Sequence, residues 1–215
     1  PNWRGPHFDG SSEESGFPAT FAIDDGVEWK AQLPGAGGST PIVWDNAVFL
    51  TSADESIDGI VAIRIDAKSG EIVWSKKFSE GTMRDERSNI AGSSPVTDGE
   101  TVYFFTGAGD LDGNLIWHRN IEEDYGQFAM QWTFSSTPQL AHDTLYLQVL
   151  QRDEPVNGRG NTDGPIESFL LAMDPATGKT KWKHVRENLA VQESKEAFST
   201  PIPITFEGRD EILIS

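Results

Sequence analysis

The sequence predicts an all-β protein, a β-propeller of four-stranded antiparallel blades. Two recurring patterns and the composition predict it. Four tryptophans close four copies of one motif. Two copies are full, Asp66-Ala-Lys-Ser69-Gly70-Glu-Ile-Val-Trp74 and Asp174-Pro-Ala-Thr177-Gly178-Lys-Thr-Lys-Trp182; two are shortened, Asp25-Gly26-Val-Glu-Trp29 and Asp112-Gly113-Asn-Leu-Ile-Trp117. The steps between the tryptophans are 45, 43 and 65 residues. A repeat of this size made of short strands indicates a radial or solenoid β architecture. In phase with it, Ser39-Thr40-Pro41, Ser93-Ser94-Pro95, Ser136-Thr137-Pro138 and Ser199-Thr200-Pro201 each open an apolar segment. Finally, the chain holds 21 Gly and 12 Pro, and no long amphipathic helix stands out.

Each unit reads as four strands. The first starts at the Ser/Thr-Pro step, because proline donates no ladder hydrogen bond and suits a strand's first residue. The second is Val48-Phe-Leu50, Val102-Tyr-Phe104, Leu145-Tyr-Leu147 or Ile212-Leu-Ile214; it begins 7, 7, 7 and 11 residues after the proline. Asp45-Asn46, Asp98-Gly99, His142-Asp143 and Glu207-Gly208 lie between the two, and such pairs supply the positive φ of tight hairpins. The third strand is Val61–Ile65 in one unit and Phe169–Met173 in another, and the fourth ends at the tryptophan. Between them, the Asp of Asp-x-x-Ser/Thr-Gly caps a turn and the Gly takes the left-handed position. Asp66, Gly70, Asp174 and Gly178 therefore read as turn chemistry rather than catalysis. Trp29, Trp74, Trp117 and Trp182 read as flat plates between blades, each burying on the order of 150–250 Å². Trp3, Trp44 and Trp132 fall outside the phase.

These units lay out the chain. Residues 1–20 form an N-terminal arm and residues 21–215 a propeller segment. Full blades are expected at about 38–77, 92–121 and 134–185, with half-blades at 21–33 and 198–215. The half-blades leave three arrangements open: closure of a four-bladed ring, a missing second half, or a homodimer of two halves.

The motif Ala172-Met-Asp174-Pro-Ala-Thr177-Gly178-Lys-Thr-Lys-Trp182 resembles the tryptophan-docking repeat of pyrroloquinoline-quinone-type propellers. The opening Asn2-Trp3-Arg4-Gly5-Pro6-His-Phe-Asp9-Gly10 is similar to that of secreted quinone-repeat-like proteins of Planctomycetes. The resemblance implies a ring of about seven or eight blades, of which this chain supplies three full and two half. It also implies a periplasmic or extracellular location. The family includes quinone-dependent alcohol dehydrogenases and the non-enzymatic lipoprotein of outer-membrane assembly. The dehydrogenases need an acidic base, a calcium ion beside the quinone and often a ring of adjacent cysteines. This chain has no cysteine, and no Asp or Glu matches the family's catalytic position. The residues therefore favour a non-catalytic binding or scaffold module for a protein or glycan partner. No cofactor is predicted; pyrroloquinoline quinone and calcium belong to the alternative, a dehydrogenase of alcohols or sugars.

Charge excludes other partners. With 34 acidic and 17 basic residues the formal net charge is −17. Nucleic acids and anionic membrane surfaces require Lys and Arg in excess. No apolar run approaches the 18 or so residues of a membrane-spanning helix. His7, His118, His142 and His184 lack the spacing of a zinc site. Asp110-Leu-Asp112-Gly113-Asn114 has part of a calcium loop's composition but lacks its later ligands. Two polar insertions, Ser79–Arg87 and Arg152–Pro165, read either as tolerated surface loops or as binding elements.

Overall fold

The computed structural model describes residues 2–5, 7–82, 90–105 and 107–214. Residues 83–87 of the first insertion, with its Asp85-Glu86 pair, lie outside the described residues, as do Pro6 and Ser215. The described chain forms three four-stranded antiparallel sheets and one two-stranded sheet. Blade one comprises β1 (Ile42–Trp44), β2 (Ala47–Asp54), β3 (Gly59–Asp66) and β4 (Ile72–Glu80); blade two comprises β5 (Val96–Thr97), β6 (Thr101–Phe104), β7 (Gly107–Asp110) and β8 (Leu115–His118). Blade three comprises β9 (Gln139–Ala141), β10 (Thr144–Val149), β11 (Phe169–Met173) and β12 (Thr180–Val185). The pair β13 (Ile202–Phe206) and β14 (Arg209–Leu213) follows. The one α-helix among the described residues, α1, is Ile121–Tyr125.

Each sheet runs in chain order, every strand beside its sequence neighbour. Tight turns enforce this. Trp44 pairs with Ala47 around Asp45-Asn46, Ala141 with Thr144 around His142-Asp143, and Phe206 with Arg209 around Glu207-Gly208. His142, Asp143, Glu207 and Gly208 all have positive φ, the backbone twist that matches a two-residue hairpin to its strands.

The outer strands differ from expectation. They continue past the tryptophans to Glu80, His118 and Val185. The reason is a bulge repeated in every blade. Arg64 pairs with Trp74 but Ile65 with Ile72; Ala108 pairs with Trp117 but Gly109 with Leu115; Ala172 pairs with Trp182 but Met173 with Thr180. One extra residue, Val73, Ile116 or Lys181, precedes each tryptophan, bends the strand and raises its twist.

The core lies between blades. Ile42, Phe49 and Ala62 of blade one pack with Val102 and Phe104 of blade two. Val96, Tyr103 and Ala108 of blade two join Leu145, Leu147, Phe169 and Leu171 of blade three. Tyr146, Leu170 and Ala172 on the far face of blade three take Ile212 and Ile214. Each blade thus buries its two faces against different neighbours, as a radial repeat requires. Residues 21–33 contribute a turn bridged at Ala22 and Asp25, and Trp29, Ala31 and Leu33 pack on Leu50, Val61, Ile63 and Ile65 of blade one.

Candidate functional site

Three tryptophans occupy one repeated arrangement. The Trp29 indole lies on Gly70, the Trp74 indole on Gly113 and the Trp117 indole on Gly178. In each case the glycine is in the β3–β4-type turn of the following blade. A Cβ there would come within 2.6, 2.9 and 2.5 Å of the ring, and φ is +74°, +83° and +68°, so both space and conformation require glycine. The indole N–H donates to a carbonyl of the same turn: Ala67 at 2.9 Å, Leu111 at 3.0 Å and Pro175 at 2.7 Å. These rings are half-buried, whereas Trp182 is 44% exposed.

The turn aspartates hold their own backbone. Asp66 accepts from the amides of Lys68 and Ser69, and Asp174 from the amide and hydroxyl of Thr177. Asp110 accepts from Asn114 and from the Asp112 amide. These bonds favour the carboxylate. The Ser69 amide lowers the pKa of Asp66, the Asn114 side chain that of Asp110 and the Thr177 hydroxyl that of Asp174. Among the described residues no three His, Asp or Glu side chains converge to hold a metal, and these turn carboxylates are engaged with N–H and O–H donors. The described donor set does not fit a calcium-bound quinone.

Sequence reasoning missed two stitches. Trp44, outside the tryptophan phase, covers Gly99 of the β5–β6 turn, where a Cβ would come within 2.5 Å of its ring. The Ser/Thr-Pro steps also do more than start strands. The Ser94 hydroxyl accepts from the Thr40 amide at 2.8 Å, and the Thr137 hydroxyl accepts from the Ser94 amide at 3.1 Å. The Ser93 hydroxyl donates to the Ser136 carbonyl at 2.9 Å. A hydroxyl ladder therefore joins the first strands of successive blades, and the signal for it was the recurrence of Ser or Thr immediately before proline.

The segment with binding character is the loop face of blade three, at the strand ends opposite the tryptophan turns. The second insertion is not loose. It turns at Asn157-Gly158 and closes through Val156 and Arg159. Arg159 donates to the carbonyls of Gln131 and Trp132. Arg152 pairs with Glu196 at 2.5 Å, their side chains 13% and 1% exposed, and also donates to the Gln131 side chain at 2.6 Å. Glu196 accepts from the Gln131 amide at 2.9 Å, and Gln151 joins the Ala129 amide to the Glu167 carbonyl. Loops from three parts of the chain are thus fixed around Trp132. Beside it Phe105, Phe128 and Phe134 cluster, the first and last stacked at 4.3 Å. A depression of about 70 Å³ is lined by these rings, Met130, Trp132, Arg159 and Glu122. A larger cleft of about 850 Å³ opens between β4 and blade two, with Lys76, Lys77, Arg119, Glu80 and Glu123 at its walls.

A protein-family profile described as "Outer membrane protein assembly factor BamB" matches residues 14–147. No curated protein sequence matches the chain. Among solved structures, BamB from Moraxella catarrhalis is 16% identical over 81% of this chain and 45% of its own, with a TM-score of 0.47. The quinohemoprotein alcohol dehydrogenase of Comamonas testosteroni is 17% identical over 71% of this chain and 21% of its own, at 0.46. A europium-containing methanol dehydrogenase is 16% identical over 80% of this chain and 36% of its own, at 0.48. The chain spans less than half the length of each.

Proposed function

Since the chain belongs to the pyrroloquinoline-quinone-like repeat family of the outer membrane protein assembly factor BamB, we propose that it is a non-catalytic, extracytoplasmic scaffold propeller that grips a protein partner. The loop face of blade three supports this reading. A Trp and an Arg beside an apolar depression, held by a buried Arg152–Glu196 pair, have the composition of an interface centre. Rigid loops lose little freedom on binding, so more of the contact energy is kept. A periplasmic or cell-surface setting fits the family and supplies envelope proteins as partners.

The test is affinity capture from the envelope fraction, followed by a binding titration with the protein recovered. Trp132→Ala and Arg159→Ala should each weaken binding at least about tenfold, while Leu115→Ala on an outer strand leaves it unchanged. Binding indifferent to both substitutions counts against this face. Dye reduction that depends on added quinone and Ca²⁺ would replace the scaffold reading with the dehydrogenase.

A further inference from the structure

Blade two departs from its neighbours in one strand. Counted back from the turn aspartates Asp66, Asp110 and Asp174, Gly107 and Gly109 of β7 stand where blade one has Ile63 and Ile65 and blade three has Leu171 and Met173. Those four side chains are core. Ile63 and Ile65 pack beneath Trp29 and Leu33, and Leu171 and Met173 pack against blade two. In β7 the same positions carry no side chain.

The pairing shows which way the bare strand faces. Gly107 lies opposite Phe104 and Gly109 opposite Val102, and residues directly opposite one another share a face of the sheet. Val102 and Phe104 pack on blade one, so the two glycines turn bare backbone towards blade one. The cleft of about 850 Å³ lies there. Trp74 and Phe78 of β4 form its other wall, and Phe78 meets Phe104 at 5.4 Å between the two. Both flanking blades have all four strands, so the cleft is a feature of their junction. Protein interiors are close-packed, yet here volume stays open where the two other blades bury large apolar side chains. The strand β8 crowds the glycines from beside them. A Cβ on Gly107 would come within 2.9 Å of the Trp117 carbonyl, and one on Gly109 within 3.1 Å of the Asn114 carbonyl.

We propose that this cleft binds an extended segment of a partner protein, which inserts two aliphatic side chains, two residues apart, into the places that Gly107 and Gly109 leave empty. Three observations define the occupant. The missing groups are apolar and alternate along a strand, the spacing of an extended peptide. Glycine inside a strand lets another backbone come close. Cations and acids both line the cleft, with Lys77 paired to Glu80 and Arg119 to Asp124. On a chain of net charge −17, a lining of both signs suits an uncharged polar backbone. The wall from Trp74 to Glu80 is about 20 Å long at the rise of a strand, room for five or six extended residues. The cleft borders the Trp132 depression at Phe105 and Glu122, but its glycine wall and β4 wall are its own. Binding here is therefore decided separately from binding at Trp132.

The test is a ¹⁵N NMR titration of the 215-residue chain with the peptide acetyl-Ser-Leu-Thr-Leu-Ser-amide. The Gly107 and Gly109 amides and the Trp74 indole N–H should shift to saturation. The control peptide with both leucines replaced by alanine should bind at least about tenfold more weakly, since each replacement removes several buried carbons. This comparison requires no variant. Gly109→Val fills the slot from within and should also weaken the leucine peptide at least about tenfold, provided that the variant keeps the parent's circular dichroism spectrum. No shift at millimolar peptide, equal affinity for the two peptides, shifts confined to the surroundings of Trp132 and Arg159, or undiminished binding by folded Gly109→Val overturns the proposal.

Discussion

At the residue scale the strongest determinant is the pairing of an indole with a left-handed glycine. Trp117→Ala removes a half-buried ring and its bond to the Pro175 carbonyl, and is expected to cost about 2–4 kcal/mol in urea unfolding. Gly178→Val is expected to cost about 2 kcal/mol or more, since a β-branched side chain would have to adopt positive φ beneath the same ring. The repeated motif marks both residues along the chain, although of its four tryptophans three lie on such a glycine among the described residues and Trp182 does not. It did not say that the tryptophan of one blade sits on the glycine of the next, because the two are 61 residues apart in this pair and only the radial packing brings them together. The aspartates make a pH prediction. Asp66, Asp110 and Asp174 have pKa values lowered from 3.8 by donors in their own turns. A carboxyl that binds its proton less readily folded than unfolded adds stability above that value and loses it as pH falls below. The urea midpoint should therefore drop as pH falls through the region below 3.8, and less steeply in a chain carrying Asp66→Asn and Asp174→Asn.

At the element scale, alternation and turn residues were enough to place the strands but not their ends. The bulges at Val73, Ile116 and Lys181 have no sequence signature, since no glycine marks them. They follow from how the outer strand must twist to lay the tryptophan on its neighbour, and they carry that strand on past the ring. The second insertion was equally ambiguous. A long polar loop reads the same whether it is loose or pinned, and Glu196 gave no hint of its role. Its carboxylate is 1% exposed and pairs with Arg152. Removing Glu196 leaves the Arg152 charge without its counter-ion and its Nε without an acceptor, though the bond to Gln131 remains, so Glu196→Ala should cost about 3 kcal/mol, read by urea unfolding. Proteolysis near Asn157 should accelerate in that variant, because the loop loses its anchor.

At the scale of the whole molecule, charge acts without regard to contacts. A net charge of −17 repels itself in the compact state, and salt within the ordinary range screens it. Tm should rise as NaCl is raised from a few millimolar to about 0.15 M; a flat or falling profile would mean that local ion pairs such as Arg119–Asp124 outweigh the global repulsion.

The sequence by itself determined the blade. Strand periodicity, hairpin turns and the tryptophan motif are local, encoded within a few residues of one another, so they can be read in order along the chain. The tertiary structure alone decided how blades meet. The turn beneath each indole, the hydroxyl ladder through Thr40, Ser94 and Thr137, the cover of Trp44 on Gly99 and the Arg152–Glu196 clasp all join residues roughly 40 to 60 positions apart. Such contacts depend on the twist and spacing of packed sheets. That geometry arises only when the blades bury their apolar faces together, and no run of residues records it.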